Sequence, residues 1–285
     1  MAETVKTERR IGVALSGGGA RGFAHVGVLK ALEEAGLRPA VIAGVSAGSV
    51  IAVLYAAGVS FDNMMKLFED AKFTSYAELR MGRGGGLFRI DKFKKHIYKA
   101  IGEKYRNLED LDIPTYLGVT DLDHGEAVDF STGPIGDIMV ASCSIPLLFQ
   151  PVNIGGTRYV DGGVLCNLPA AVLRDKCDYL IGVNCSPLDH DSKFKNTMVD
   201  VGLRTYALAT RIHQARDMKL CDLYIAIPEI ASYKAFNLKQ IKEVYLRGYT
   251  TARSVLQKAG LMPGHASTGH LDTPAENVNH HTSHS

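Results

Sequence analysis

The 285 residues show no surplus of charge of either sign, with 32 Lys and Arg against 30 Asp and Glu and a net charge of +2 at neutral pH. Without a basic excess there is no ground for nucleic acid as a main partner. Cysteine is sparse, five in all (Cys143, Cys166, Cys177, Cys185 and Cys221), and no two stand in a C-x-x-C pair. An odd, scattered set argues against a disulfide framework and against a zinc site, and it suits a reducing cytoplasm. The N-terminus, Met-Ala-Glu-Thr-Val-Lys-Thr-Glu-Arg-Arg, lacks the apolar core and cleavage pattern of a secretory signal. The one long uncharged run, residues 39–61, is of membrane-spanning length, but Gly44, Ser46, Gly48 and Ser49 break it into a short strand, a turn and a helix. What remains is ordinary: 46% hydrophobic and 22% charged residues, as in a soluble globular protein, with no internal linker to divide it.

Within that body the chain alternates. Residues 11–15 are an apolar run ending in Ser16 and three glycines, and residues 23–35 then follow helical spacing up to Gly36. A second strand over 41–43 and a helix over 49–57 make the first sixty residues β-α-β-α, which predicts a parallel sheet there. Residues 115–120 and 126–130 flank Asp123-His124-Gly125 and read as a hairpin, and a helix follows over about 135–143. Residues 152–154 and 157–160, joined by Gly155-Gly156, read as a second hairpin that delivers the chain to Asp161. Further strands are expected over 178–184 and 223–227, a helix start at Asn167-Leu168-Pro169, and helices over 197–218 and 238–258. From residue 263 to 285 the pattern stops, and this polar tail, with five of the ten histidines, is left outside the fold.

Three short motifs carry chemistry. Gly44-Val45-Ser46-Ala47-Gly48 is a G-x-S-x-G between strand and helix, where a strained turn stands the serine hydroxyl clear of the backbone at the N-terminus of a helix. Its plain structural alternative is a turn of small residues. Gly17-Gly18-Gly19-Ala20-Arg21-Gly22, also between strand and helix, leaves backbone N–H groups to face an anion such as an oxyanion, with Arg21 to orient the loop. The alternative is a packing turn. Gly17, Gly19 and Gly22 also satisfy G-x-G-x-x-G, yet the second strand ends in Ala43-Gly44-Val45-Ser46 without the acidic residue a dinucleotide site needs. Phe23-Ala24 likewise stands where a P-loop requires Lys and Ser or Thr.

The third motif, Asp161-Gly162-Gly163, is by itself a common turn; it matters because a serine hydroxyl needs a neighbouring base. A carboxylate with an ordinary pKa of about 3.9 is a weak base, so such a pair leans on oxyanion stabilisation. His25, His96, His124, His190 and His213 offer a histidine base instead, but none has a supporting motif, and His25 reads as a packed or surface helix residue.

Taken together, in this order and spacing, the three motifs resemble the signature of the patatin-like phospholipase family. Ala141-Ser142-Cys143-Ser144-Ile145-Pro146 with Phe149 and Pro151 adds to the likeness, which covers roughly residues 11–184 and is nearer to the bacterial branch and the neuropathy target esterase catalytic domain than to plant storage proteins. The resemblance implies an α/β fold, a three-layer α/β/α sandwich with a largely parallel central sheet, over residues 8–262. It implies a Ser46–Asp161 dyad and an oxyanion hole from Gly17, Gly18 and Gly19, with Arg21, Gly22, Gly44, Gly48 and Gly162 in support. No metal or cofactor is implied, and the expected substrates are phospholipids, lysophospholipids and other acyl esters. A lipid-binding scaffold of the same fold with little turnover is the alternative.

Residues 80–106 hold the densest charge: Arg80, Arg83, Arg89, Lys92, Lys94, Lys95, Lys99, Lys104 and Arg106 against Asp91 and Glu103, with Phe88, Phe93, Tyr98 and Tyr105 between them. They suggest peripheral contact with anionic membrane at the inner surface, or simply a solvated helix face. Gly84-Gly85-Gly86 would suit a mobile lid.

Overall fold

The structure is a computed structural model that describes residues 9–69, 78–79, 86–188 and 197–262. The tail, Arg80, Arg83, Gly84 and Gly85 lie outside the described residues, and with them the lid expectation.

The chain opens with β1 (Ile11–Leu15), a 3-10 turn (Gly19–Gly22) and α1 (Phe23–Glu34), then β2 (Pro39–Val45), α2 (Ala47–Ala56) and α3 (Phe61–Glu69). Short strands β3 (Glu78–Leu79) and β4 (Gly86–Arg89) precede α4 (Asp91–Ile101). After them come β5 (Thr115–Asp121), β6 (Glu126–Phe130), α5 (Ile135–Ser142), β7 (Leu147–Phe149), β8 (Val152–Ile154) and β9 (Thr157–Asp161). The C-terminal part holds β10 (Tyr179–Asn184), α6 (Met198–Ala209), α7 (Gln214–Lys219), β11 (Leu223–Ala226) and α8 (Ile241–Lys258).

The main sheet runs β11-β10-β1-β2-β5-β9-β8, with β6 on β5. From β11 to β5 all pairs are parallel, whereas β6, β8 and β9 join antiparallel. Every residue of β1 is buried, as the apolar runs of a parallel sheet covered on both faces require. Val13, Leu15 and Ile42 point into the larger core with α1, α2 and α8. Ala14, Val41 and Ala43 point the opposite way, onto Leu168 and Leu173 at the 3-10 helix Ala171–Lys176. The architecture is therefore the expected α/β/α sandwich, with both expected hairpins in place. On the larger face, glycines on α1 and α8 let the two backbones touch: a Cβ on Gly248 would lie 2.1 Å from the Ala24 carbonyl oxygen, and one on Gly27 would lie 2.2 Å from that of Tyr245.

Two expectations need correction, and one part of the fold lies outside them. Residues 197–218 are two helices, Met198–Ala209 and Gln214–Lys219, separated where the backbone bonds tighten to the third carbonyl back, Arg211 N–H to Leu208 at 3.2 Å and Ile212 N–H to Ala209 at 3.0 Å. The helix expected at Asn167-Leu168-Pro169 begins only at Ala171 and is of the 3-10 type. The small second sheet, β3-β4-β7, and helix α3 were not anticipated.

Candidate active site

Consecutive residues of β5 assemble the site. Gly118 is in register with Val45, the last residue of β2, and Val119 is in register with Asp161, the last residue of β9. Ser46 and Asp161 are thereby delivered to one point of the sheet from 115 positions apart in sequence.

Ser46 is the N-cap of α2, with φ 52° and ψ −124°. A side chain in that region carries strain of about 1–3 kcal/mol, which the surroundings must enforce. They do so in two ways. The Ser46 N–H donates to Ser142 Oγ at 2.9 Å, and that hydroxyl donates to the Gly118 carbonyl at 2.7 Å, tying the turn to α5 and β5. Strand and helix also close to backbone contact: a Cβ on Gly44 would lie 2.3 Å from the Gly48 carbonyl oxygen, and one on Gly48 would lie 2.4 Å from that of Leu15. Both glycines of the G-x-S-x-G are therefore required sterically. The N-terminus of the α2 dipole lies at the Ser46 hydroxyl and favours negative charge there.

Asp161 is fully buried. Its N–H donates to the Ser144 carbonyl at 2.9 Å and its carbonyl accepts from Thr120 Oγ1 at 3.1 Å. Oδ1 accepts the Gly163 N–H at 2.8 Å, while Oδ2 meets no donor at hydrogen-bonding geometry, with the hydroxyls of Ser46 and Tyr206 standing close to the carboxyl. Burial pushes this carboxyl up to about 6; the hydroxyls of Ser46 and Tyr206 and the Gly163 N–H act in the opposite direction by favouring the charged form. Burial, the Asp161 charge and the contact with its carboxylate hold the Tyr206 phenol well above its ordinary range. A Cβ on Gly163 would lie 2.5 Å from the Tyr206 hydroxyl, and one on Gly162 would lie 2.4 Å from the Gly118 carbonyl oxygen.

The glycine loop lies beside this pair: a Cβ on Gly17 would lie 3.2 Å from Ser46 Cβ, and one on Gly22 would lie 2.5 Å from Ala47 Cβ. Its three expected donors differ. The Gly17 N–H is engaged, donating to the Asn167 carbonyl at 3.2 Å. The Gly18 and Gly19 N–H groups have no acceptor among the described residues. Their directions are set through the carbonyls of the same planar peptides. The Gly17 carbonyl accepts from Ser16 Oγ at 3.0 Å and from Cys185 Sγ at 3.5 Å, and the Gly18 carbonyl accepts from Arg21 Nε at 3.3 Å. Arg21 also donates to the Pro187 carbonyl at 2.9 Å.

His25 is buried beneath the loop, with Nε2 2.8 Å from the Ser16 carbonyl oxygen, and burial lowers its pKa to about 4. It is a neutral packing residue of the loop's support. The other described body histidines, His96, His124 and His213, bond to the Leu67 carbonyl, bond to Asp121 and cap α7, respectively.

In front of Ser46 opens a cavity of about 150 Å³. Its walls come from the glycine loop, from Val50 and Ile51 of α2, and from Phe68, Ile90, Phe93, Ile145, Phe149, Phe236 and Leu238. Ser46 is the one hydroxyl in this lining. Tyr206, Asn167 and Ser142 were not singled out from the sequence as site residues; Ser142 falls in the segment 141–146 that adds to the family likeness and Asn167 in the expected helix start, whereas no local signal marks Tyr206, which the tertiary fold alone brings in. Among the described residues no group of three His, Cys, Asp or Glu side chains is arranged to hold a metal ion, and no helix is long and apolar enough to cross a membrane. All five cysteines are free thiols.

Comparison with known proteins gives consistent results. The lysophospholipase nte1 of Emericella nidulans is 27% identical over 310 residues, covering 94% of this chain and 19% of that protein. An NTE family protein of Mycobacterium tuberculosis is 34% identical over 164 residues, covering 57% of this chain and 45% of that one. This chain thus spans about a fifth of the fungal relative and under half of the mycobacterial one. Among solved structures, VipD from Legionella pneumophila shares the fold, with a TM-score of 0.59 at 17% identity over 88% of this chain and 67% of that one. The model of one family, patatin-like phospholipase, matches residues 13–174, a span that holds the glycine loop, Ser46 and Asp161. With more than half of its length so matched, the chain belongs to the patatin-like phospholipase family.

Proposed function

We propose that this protein is a serine acyl hydrolase that cleaves fatty-acyl esters of phospholipids or lysophospholipids through a dyad of Ser46 and Asp161. The observation that carries the reading is the position of Ser46: a strained hydroxyl at the wall of an otherwise apolar cavity, beside a buried carboxylate with one oxygen that meets no donor at hydrogen-bonding geometry. An acyl chain fits such a cavity, and its ester carbonyl would then sit at the hydroxyl.

In the mechanism, Asp161 takes the Ser46 proton as Oγ attacks the ester carbonyl carbon. The tetrahedral oxyanion is met by the Gly18 and Gly19 N–H groups and the N-terminus of α2. The C–O bond to the alcohol breaks, and Asp161 returns the proton to the leaving alkoxide. Water then attacks the acyl-enzyme with Asp161 again as base, releasing the fatty acid and restoring Ser46. A carboxyl held at about 6 is a stronger base than an ordinary aspartate yet remains ionised at neutral pH. That compromise suits a dyad without histidine.

The names of the fungal relatives favour lysophospholipids within this class. A cytoplasmic enzyme in peripheral contact with anionic membrane through residues 80–106 fits the composition, with Lys95 and Lys99 exposed on α4. In the same region Lys94 pairs with Asp137, Lys104 with Asp112 and Arg106 with Glu103, which leaves less free charge than the sequence offers.

The test is hydrolysis of p-nitrophenyl esters and of lysophosphatidylcholine by the parent, Ser46→Ala and Asp161→Asn proteins. Both variants should lose about a thousandfold or more in kcat. An Asp161→Asn protein that keeps most of its rate would overturn the dyad.

A further inference from the structure

Phe236 lines the cavity and also meets solvent. It is 37% exposed, more than any other residue of the lining, whereas Ile51, Phe68, Ile90 and Phe149 are buried. The cavity therefore opens at this side chain. The backbone beside it rests on the glycine loop. Residues 234–237 form a turn closed by the Asn237 N–H on the Lys234 carbonyl at 3.1 Å, with Ala235 and Phe236 at its centre. The Ala235 carbonyl accepts the Ala20 N–H at 2.6 Å, and a Cβ on Gly19, whose φ is 61°, would lie 2.3 Å from the same oxygen. Glycine at position 19 is what lets the turn come so near. On its far side the turn is held by Asn237, whose Oδ1 accepts the Lys239 N–H at 3.1 Å at the start of the 3-10 helix Leu238–Gln240. Just before the turn, the Tyr233 hydroxyl donates to Glu243 of α8.

An ester presents two arms from its carbonyl carbon. With the carbonyl held between Ser46 and the glycine loop, the acyl arm stays on Ser46 after the first step, while the alcohol must depart and water must take its place. The arm that stays belongs against the buried wall, where its carbons gain most from leaving water. The arm that departs belongs at the opening. That opening is at Phe236, one residue from the Ala235 contact on the loop that holds the carbonyl.

We propose that Phe236 is a specificity-determining residue for the leaving alcohol. Its ring meets the first carbons beyond the ester oxygen, so the site selects alcohols that present carbon and no charge over that stretch and carry any charged group farther out, in solvent. This rests on the acyl-hydrolase reading above and adds to it a division of labour: the buried wall reads the acyl chain, and Phe236 reads the alcohol.

Two series of soluble esters separate the arms: butyrates of methanol, butanol and hexanol vary the alcohol, and ethyl esters of butyrate, hexanoate and octanoate vary the acyl group. In Phe236→Ala the hexyl-to-methyl ratio of kcat/KM should fall by about tenfold from that of the parent, the loss of roughly two methylene contacts at about fourfold each. The octanoate-to-butyrate ratio should stay within about twofold of the parent's. Phe236→Leu keeps an apolar side chain and should recover most of the hexyl-to-methyl ratio. Because the chain contains no tryptophan, Ser46→Ala/Phe236→Trp gives a readout without turnover. Emission from position 236 should be quenched more strongly by 6-bromohexyl octanoate, with bromine on the alcohol, than by hexyl 8-bromooctanoate, with bromine on the acyl chain. A fall in the octanoate ratio with the hexyl ratio unchanged, or stronger quenching by the acyl bromine, would put the acyl chain at Phe236 and overturn the proposal. Two unchanged ratios would overturn it as well. The catalytic reading fails separately, in a parent that hydrolyses none of these esters or a Ser46→Ala protein that still does. In the first case the bromine comparison, and in the second the two ratios, still decide which arm lies at Phe236.

Discussion

Asp161 stores a conflict that pH reveals. Buried without a cationic partner, its carboxyl is held at about 6 in the folded chain, against an ordinary value of 3.8. The folded state therefore binds the proton more tightly than the unfolded state, so this group's contribution to stability is fully present below about pH 4 and is lost as pH rises through about 6. The difference corresponds to about 3 kcal/mol. Asp161→Asn should accordingly be more stable than the parent at pH 8 by up to about 3 kcal/mol, with the gap closing below pH 4, as urea denaturation at the two pH values would show. Catalysis has the opposite slope. As the proposed base, Asp161 must be ionised, so kcat/KM for a soluble ester should rise tenfold per pH unit below about 6 and level off above it. Tyr206→Phe removes a hydroxyl that favours the charged form and should move that midpoint upward, without the thousandfold loss expected of the dyad variants.

At the level of elements, the strand-turn-helix units at both motifs could be read in the sequence because their signals are local: an apolar run, glycines, then helical spacing. Asp161 could be placed at a strand end because Gly155-Gly156 fixes its hairpin. Tyr206 could not be found this way, since it reaches the site only through the docking of α6; Phe68 carried no signal, and Phe93 and Phe149, read as parts of the basic cluster and of the family likeness, show their place at one cavity only once the fold gathers them. The glycine loop was legible as a group of candidate N–H donors but not singly. Only the geometry separates Gly17, whose N–H is engaged, from Gly18 and Gly19, whose N–H directions are fixed from the carbonyl side. Arg21 is the outer anchor of that arrangement, bonding the Gly18 and Pro187 carbonyls together. Arg21→Met keeps the aliphatic stem and frees both carbonyls. It should lower kcat by about 10- to 100-fold, less than deletion of an oxyanion donor, with KM nearly unchanged because the N–H groups serve the transition state. Steady-state kinetics on a single ester separates the two parameters; a rise in KM at constant kcat would place Arg21 in substrate binding.

For the molecule as a whole, the cavity is the feature that depends on every layer at once. Its wall draws on residues 19–23, 46–51, 68, 90–93, 143–149 and 235–238, which span most of the described chain. In the proposed mechanism ester cleavage needs only the dyad and the loop, and binding energy for a fatty chain comes from this apolar wall. Each methylene moved from water onto it contributes about 0.8 kcal/mol, or roughly fourfold in kcat/KM. The parent should therefore gain steeply with acyl length and then level off once further carbons remain in solvent. Ile51 is 3% exposed and lines the cavity from α2, one turn beyond Ser46, so Ile51→Phe should shorten the accessible depth while leaving the strained turn intact. The expected result is a plateau reached several carbons earlier, with butyrate hydrolysis within about twofold of the parent and long-chain hydrolysis lower by about tenfold or more. A uniform loss across all chain lengths would instead mean that the substitution had disturbed Ser46, and an unchanged profile would mean that the acyl chain lies elsewhere.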